Sequence, residues 1–126
     1  MYLLDSNIVV LYLKGSFSKT EMMLLDNIVD TNPIVSVITS MEVLGYPFTN
    51  PQEQIITEQF ILGSKVIEVN QNIVDTTIDI RRNNKIKLPD AIIAATAIAF
   101  NLTLVTMNQK DFRSISNVTA VLPSML

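Results

Sequence analysis

One stretch limits the folds open to this chain more than any other. Residues 85–100 read Lys-Ile-Lys-Leu-Pro-Asp-Ala-Ile-Ile-Ala-Ala-Thr-Ala-Ile-Ala-Phe. Two lysines run into Pro89, Asp90 follows at the first turn of a helix, and Ala91 to Phe100 are apolar except for Thr96. A helix that is apolar all round has to be covered all round, so it belongs inside a layered fold. The apolar run falls short of the about 18 residues that a membrane span needs, so no membrane segment is expected. An acid at the entrance of a buried helix, with bases just before it, points to a site. The question is which other acids it meets.

The rest of the chain alternates short apolar runs with helical patterns. Tyr2-Leu3-Leu4 reads as a buried strand. After the cap-rich Asp5-Ser6-Asn7, the run Ile8 to Leu13 is ambiguous between strand and helix, and its position favours helix. Ser18 with Glu21 forms a capping-box pattern for a second helix, striped by Met22, Leu25 and Val29 and ending near Asn32-Pro33. Ile34 to Ile38 is rich in β-branched residues and predicts a second strand. Thr39 or Ser40 then caps a short helix through Leu44, stopped at Gly45-Tyr46-Pro47.

A helix after Asn50-Pro51 carries Ile55, Ile56, Phe60 and Leu62 on one side, and a third strand spans Val66 to Val69. Residues 71–83 predict a helix with Ile73, Thr77 and Ile80 on one face. Asp90 begins the next helix, on which Ala94 and Ala97 follow it on one side and allow close packing on a sheet. Asn101 suits the left-handed end of that helix. Leu102 to Thr106 predicts a fourth strand, Asn108 to Phe112 a loop, and Val118 to Leu122 a last edge strand. Such alternation implies an α/β fold with a parallel sheet.

In sheets of that kind, ligands bind beyond the carboxyl ends of the strands. The rule selects Asp5, Glu42 and the Asn108–Asp111 segment, and Asp90 joins them at its helix start. Each has an ordinary explanation taken alone. Asp5 caps the following helix, Glu42 and Asp90 suit a helix dipole, and Asp111 is a plain surface acid. Taken together, four carboxylates in one pocket repel one another and raise each other's pKa values. A divalent cation among them removes that penalty.

The chain has no histidine and no cysteine, so thiolate ligands and the commonest general base are excluded. Any metal is held by oxygen, which favours Mg²⁺ or Mn²⁺ over Zn²⁺. Such an ion supports phosphodiester hydrolysis without a covalent intermediate. Net charge is −3, yet six of the nine basic residues fall between 81 and 113, a window of net +4 that leaves −7 elsewhere. Arg81, Arg82, Lys85 and Lys87 in that window are candidate contacts to a phosphate chain. They also suit a helix C-terminus and a solvated loop.

The segments Leu3-Leu4-Asp5-Ser6-Asn7, Glu42-Val43-Leu44-Gly45-Tyr46, Lys87 to Ala97 and Thr106 to Phe112 resemble the PIN domain, and within it the VapC-type toxins of toxin–antitoxin pairs. The resemblance runs in order along essentially the whole chain. It implies one PIN domain over residues 1–126, a three-layer α/β/α fold, and a central parallel sheet of four to five strands in the order 3-2-1-4-5. It implies a Mg²⁺- or Mn²⁺-dependent endoribonuclease in which Asp5, Glu42 and Asp90 are the core metal-binding and catalytic acids. Asp111, or Asn108 beside it, takes the fourth position, and Ser6 is a supporting hydroxyl.

The same resemblance implies an RNA substrate, a cognate antitoxin and a homodimer. The mean hydropathy of +0.36 fits an apolar partner surface in addition to a core. The opening Met1 to Asp5 lacks a basic signal-peptide region, so a cytoplasmic protein is expected. The rival readings are a catalytically idle PIN-like domain that binds RNA or a partner, a DNA-directed nuclease, and a receiver-type signalling domain. A DNA-directed or flap nuclease calls for further domains or an arch insertion, which the sequence lacks. A receiver needs a phospho-acceptor aspartate after its third strand, where this chain has Asn70.

Overall fold

The structure, a computed structural model, describes residues 1–126. Its centre is a sheet of β1 (Tyr2–Leu4), β2 (Ile34–Ser36), β3 (Lys65–Ile67), β4 (Thr103–Val105) and β5 (Ala120–Val121). All neighbours pair in parallel, in the order β3-β2-β1-β4-β5. The helices are α1 (Ser6–Leu13), α2 (Lys19–Thr31), α3 (Val37–Leu44), α4 (Pro51–Leu62), α5 (Gln71–Asn83), α6 (Leu88–Ala99) and α7 (Gln109–Phe112), with a 3₁₀ turn at Pro123–Met125. This is the expected α/β architecture in the expected strand order.

Successive residues of a strand face opposite sides of a sheet, so each short central strand feeds two cores. Leu3, Ile34 and Leu104 pack in one cluster with Ile73 and Ile80 of α5 and Ile93, Ala94 and Ala97 of α6. Their chain neighbours Leu4, Val35 and Val105 pack in the other, with Ile8 and Val9 of α1, Leu25 of α2, Val43 of α3 and Ile61 of α4. The pairing Leu3 with Leu104 and Leu4 with Val105 keeps the two sets in register. Helices on both faces explain why the strands are apolar throughout instead of alternating.

Local signals set most boundaries. Ser18 Oγ accepts the Glu21 N–H at 3.2 Å, and the Glu21 carboxylate accepts the Ser18 N–H at 3.1 Å, which completes the capping box. Asn101 sits at φ 51° just after α6, in the left-handed region it tolerates. The Tyr12 hydroxyl donates to Asp26 and braces α1 against α2.

The structure corrects several expected boundaries. The second strand stops at Ser36, whose Oγ accepts the Ile38 N–H at 3.1 Å. That cap starts α3 at Val37, so Thr39 and Ser40 lie inside the helix. The third, fourth and fifth strands are shorter than expected. The segment after Asn108 is the short helix α7 and not a loop. The buried face of α4 is formed by Thr57 and Ile61, while Ile55, Ile56 and Leu62 are exposed. Thr57 tolerates burial because its hydroxyl donates to the Glu53 carbonyl at 2.8 Å. Helix α6 begins at Leu88, which puts Asp90 at its third residue.

Ala94 has no exposed surface and lies in the core cluster shared with α5 and the sheet. Ala94→Leu is expected to destabilise the fold by about 1–3 kcal/mol through overpacking. Urea unfolding of the purified variant against the parent reads this, and an unchanged midpoint would show that α6 is less tightly seated than described.

Candidate functional site

The carboxyl ends of the central strand β1 and its neighbour β4 meet at Asp5. Its backbone N–H donates to the Val105 carbonyl at 3.0 Å and extends the ladder by one bond. The same residue then caps α1. Its side chain is 5 % exposed, and both oxygens are engaged. One accepts the Ser6 N–H at 2.8 Å, and the other accepts the Thr106 hydroxyl at 2.7 Å. Thr106 Oγ1 also accepts the Asn108 N–H at 3.0 Å, which fixes the approach to α7 and to Asp111.

A second set of hydroxyls holds Glu42. Ser6 Oγ lies 2.6 Å from Glu42 Oε1 and 3.0 Å from Thr39 Oγ1. A hydroxyl carries one hydrogen, so both contacts are satisfied when Ser6 donates to the carboxylate and accepts from Thr39. Thr39 is completely buried on α3, one turn before the exposed Glu42. Asp90, half-buried in the first turn of α6, lies close enough to feel the charges of Asp5 and Glu42.

The acids form one electrostatic unit. Burial pushes the Asp90 carboxyl up from its ordinary 3.8, and the charges of Asp5, Glu42 and Asp111 push it further, while Lys87 opposes them. Asp5 is raised chiefly by burial and also by Glu42, against the hydrogen bonds from Thr106 and Ser6. The structure thus brings Asp5, Glu42 and Asp111 within reach of Asp90, and Glu42 within reach of Asp5. It does not bring three of them to a common point at metal-ligand spacing. Their chemistry nevertheless fits a hard cation, because the donors are all oxygen and repel one another without one.

The remaining expected residues fall into place less tightly. Asn108 is the residue before α7, and its side chain makes no capping bond. Arg81 and Arg82 end α5, Lys85 lies in the following loop and Lys87 immediately precedes α6. All four are exposed, and of these Lys87 is the one whose charge lowers Asp90. Thr106 and Thr39 went unremarked as site residues in the sequence. A threonine directly after an apolar strand, facing an acid directly after another, is the signal that could have found Thr106.

The sequence matches the PIN domain family over residues 2–118. Among solved structures, it is similar to a toxin–antitoxin complex from Klebsiella pneumoniae at 30% identity, with a TM-score of 0.77 and 98% of each chain covered. It is similar to VapBC2 from Rickettsia felis bound to a DNA fragment from their promoter, at 24% identity and TM-score 0.81, covering 96% of this chain and 97% of that one. It also resembles FitAcB from Neisseria gonorrhoeae, at 23% identity and TM-score 0.79 over 100% of both chains. The two structures under 25% identity speak to the fold alone. No match was found among curated proteins.

The two raised carboxyls set a pH dependence. A native carboxyl whose pKa lies above its unfolded value holds a proton where the unfolded chain has lost it. The contribution to stability is full below about 3.8 and is lost as pH rises through the raised native values of Asp5 and Asp90. Thermal melts of the chain in chelator across this range are expected to show that loss. Asp90→Asn is expected to flatten it and to melt higher than the parent at neutral pH. A variant with the parent's pH profile would refute the electrostatic coupling.

Proposed function

This chain belongs to the PIN domain family, and from that membership we propose that it is a Mg²⁺- or Mn²⁺-dependent endoribonuclease, the toxin of a VapC-type toxin–antitoxin pair. The observation that carries the reading is the coupling of Asp5, Glu42 and Asp111 to Asp90 at the carboxyl ends of β1 and β4. Under this reading, Asp5, Glu42, Asp90 and Asp111 hold the ion, with Asn108 the alternative for the fourth place. The bound ion supplies polarisation of the scissile phosphodiester and a lowered pKa for the attacking water.

The protein's own groups do the positioning. Thr106 and the Ser6 N–H fix both oxygens of Asp5, and Ser6 with Thr39 behind it fixes one oxygen of Glu42. With no imidazole or thiol available, carboxylates are the groups that accept protons near neutral pH. Arg81, Arg82, Lys85 and Lys87 lead along the exposed approach to α6 and are the candidate contacts to the RNA backbone.

The partners follow from the same reading. The Klebsiella pneumoniae relative is described as part of a toxin–antitoxin complex, which supports a cognate antitoxin for this chain. The exposed Met41, Leu44, Ile55 and Leu62 of the α3–α4 region offer apolar surface for a partner or a second copy. A cytoplasmic homodimer of one PIN domain per chain completes the proposal, and no helix is long and apolar enough to cross a membrane. One observation favours a second reading, an idle RNA- or partner-binding domain: no three acids meet at metal-ligand spacing.

Purified chain incubated with single-stranded RNA is expected to cut it in Mg²⁺ or Mn²⁺. Chelator should stop cleavage, and added metal should restore it. Asp5→Asn and Asp90→Asn should each lower the rate by at least about a hundredfold, as expected when charge stabilisation at the reacting phosphate is lost. Both variants should also lift any growth arrest that the parent causes in a bacterial host. Undiminished cutting by either variant removes the assignment, and RNA binding without cutting by the parent selects the idle reading.

A further inference from the structure

A cleft opens directly beside Glu42, between α1, α3 and α4, with a volume of about 370 Å³. Glu42 forms part of its wall, so the cleft adjoins the acid cluster at that residue. Val43 and Ile56 contribute to its apolar lining, and Lys14 lies on it too. Tyr46 and Phe48 also line it, and their rings stand edge to face with centroids 5.3 Å apart. Tyr46 is 61 % exposed. An edge-to-face partner holds an aromatic ring in place while leaving a face of it free.

From this arrangement we infer that Tyr46, braced by Phe48, stacks an unpaired nucleobase of the RNA next to the phosphate being cut. The inference rests on the endoribonuclease reading and adds a substrate-positioning residue to it. Size favours a base: the cleft is at the small end of the range of about 300–1,000 Å³ for small-molecule sites. Its walls are mostly apolar and aromatic, which suits a base, and Lys14 is the one cation on them beside the carboxylates of Glu42 and Glu53. Its position settles which base: a chain threaded past Glu42 places the flanking nucleotide in the neighbouring cleft. Stacking on a single ring is tolerant of base identity, so Tyr46 contributes affinity and register more than sequence choice.

The test uses short single-stranded RNAs carrying a fluorescent adenine analogue or an abasic unit at successive positions. Binding is read by quenching of the analogue in the Asp90→Asn chain, and cleavage in the Asp90-containing chain. Tyr46→Ala is expected to weaken binding and raise KM by about tenfold, the size of one base–aromatic stack. It should leave kcat near the parent's, and Tyr46→Phe or Tyr46→Trp should restore binding. An abasic unit at the stacked position should cost the parent the same factor and cost Tyr46→Ala nothing more. Tyr46 is exposed, so an unchanged melting temperature confirms that the variant is folded.

Cleavage by the parent with no effect of Tyr46→Ala overturns the stacking while leaving the nuclease reading intact. Tyr46-dependent quenching without any cleavage upholds the stacking and removes the nuclease reading. An amphipathic peptide that fills the cleft while RNA affinity ignores Tyr46 overturns the inference in favour of a protein occupant. Absence of both binding and cutting removes both readings.

Discussion

A carboxylate with almost no exposed surface is tolerable only when its oxygens are paired, and Asp5 meets that condition by joining two strands that are far apart in sequence. Its bond to Thr106 closes the ends of β1 and β4 across the centre of the sheet. Its bond to the Ser6 N–H starts α1 in the same step. Everything else at this end of the molecule is hung from those contacts. Thr106 orients the backbone leading into α7 and so sets where Asp111 stands. Ser6, held at the start of α1, reaches across to Glu42.

Stability and chemistry pull in opposite directions here. The hydrogen bonds at Asp5 favour its charged form, but burial and the neighbouring acid win and its carboxyl is raised. Asp90 meets the same conflict with fewer compensating bonds. The sheet's apolar cores hold these like charges together, since α6 is buried along its length and cannot drift away from the repulsion. The fold therefore stores an unfavourable arrangement of charge that a cation would relieve, a common property of sites built for catalysis.

Much of this was legible in the sequence, for physical reasons that differ from residue to residue. Asp5 and Asp90 announced themselves because each stands at a junction, one after an apolar strand and one after a helix-starting proline. The strand order followed from resemblance, and the alternation of elements followed from periodicity. Ser36 hid the start of α3, because Val37 and Ile38 suit a strand as well as a helix and only the serine's capping bond decides between them. The buried face of α4 was misjudged because Thr57 goes inward with its hydroxyl satisfied inside its own helix, while isoleucines stay out. Thr39 was invisible as a site residue because its partner lies 33 positions away, and Thr106 was marked only by its place directly after an apolar strand, its pairing with Asp5 spanning 101 positions. No local pattern carries that information.

The division of labour within β1 has a consequence for how such a chain can change over generations. The strand has three residues, and adjacent leucines serve different cores. Substitutions at Leu3 or Leu4 that keep volume are absorbed locally. A single inserted or deleted residue is different in kind. It would exchange the two leucines between cores and carry Asp5 out of reach of Thr106 in the same event. Length at this point is therefore under tighter constraint than identity, and drift in the family should run through substitution here while insertions collect in the loops.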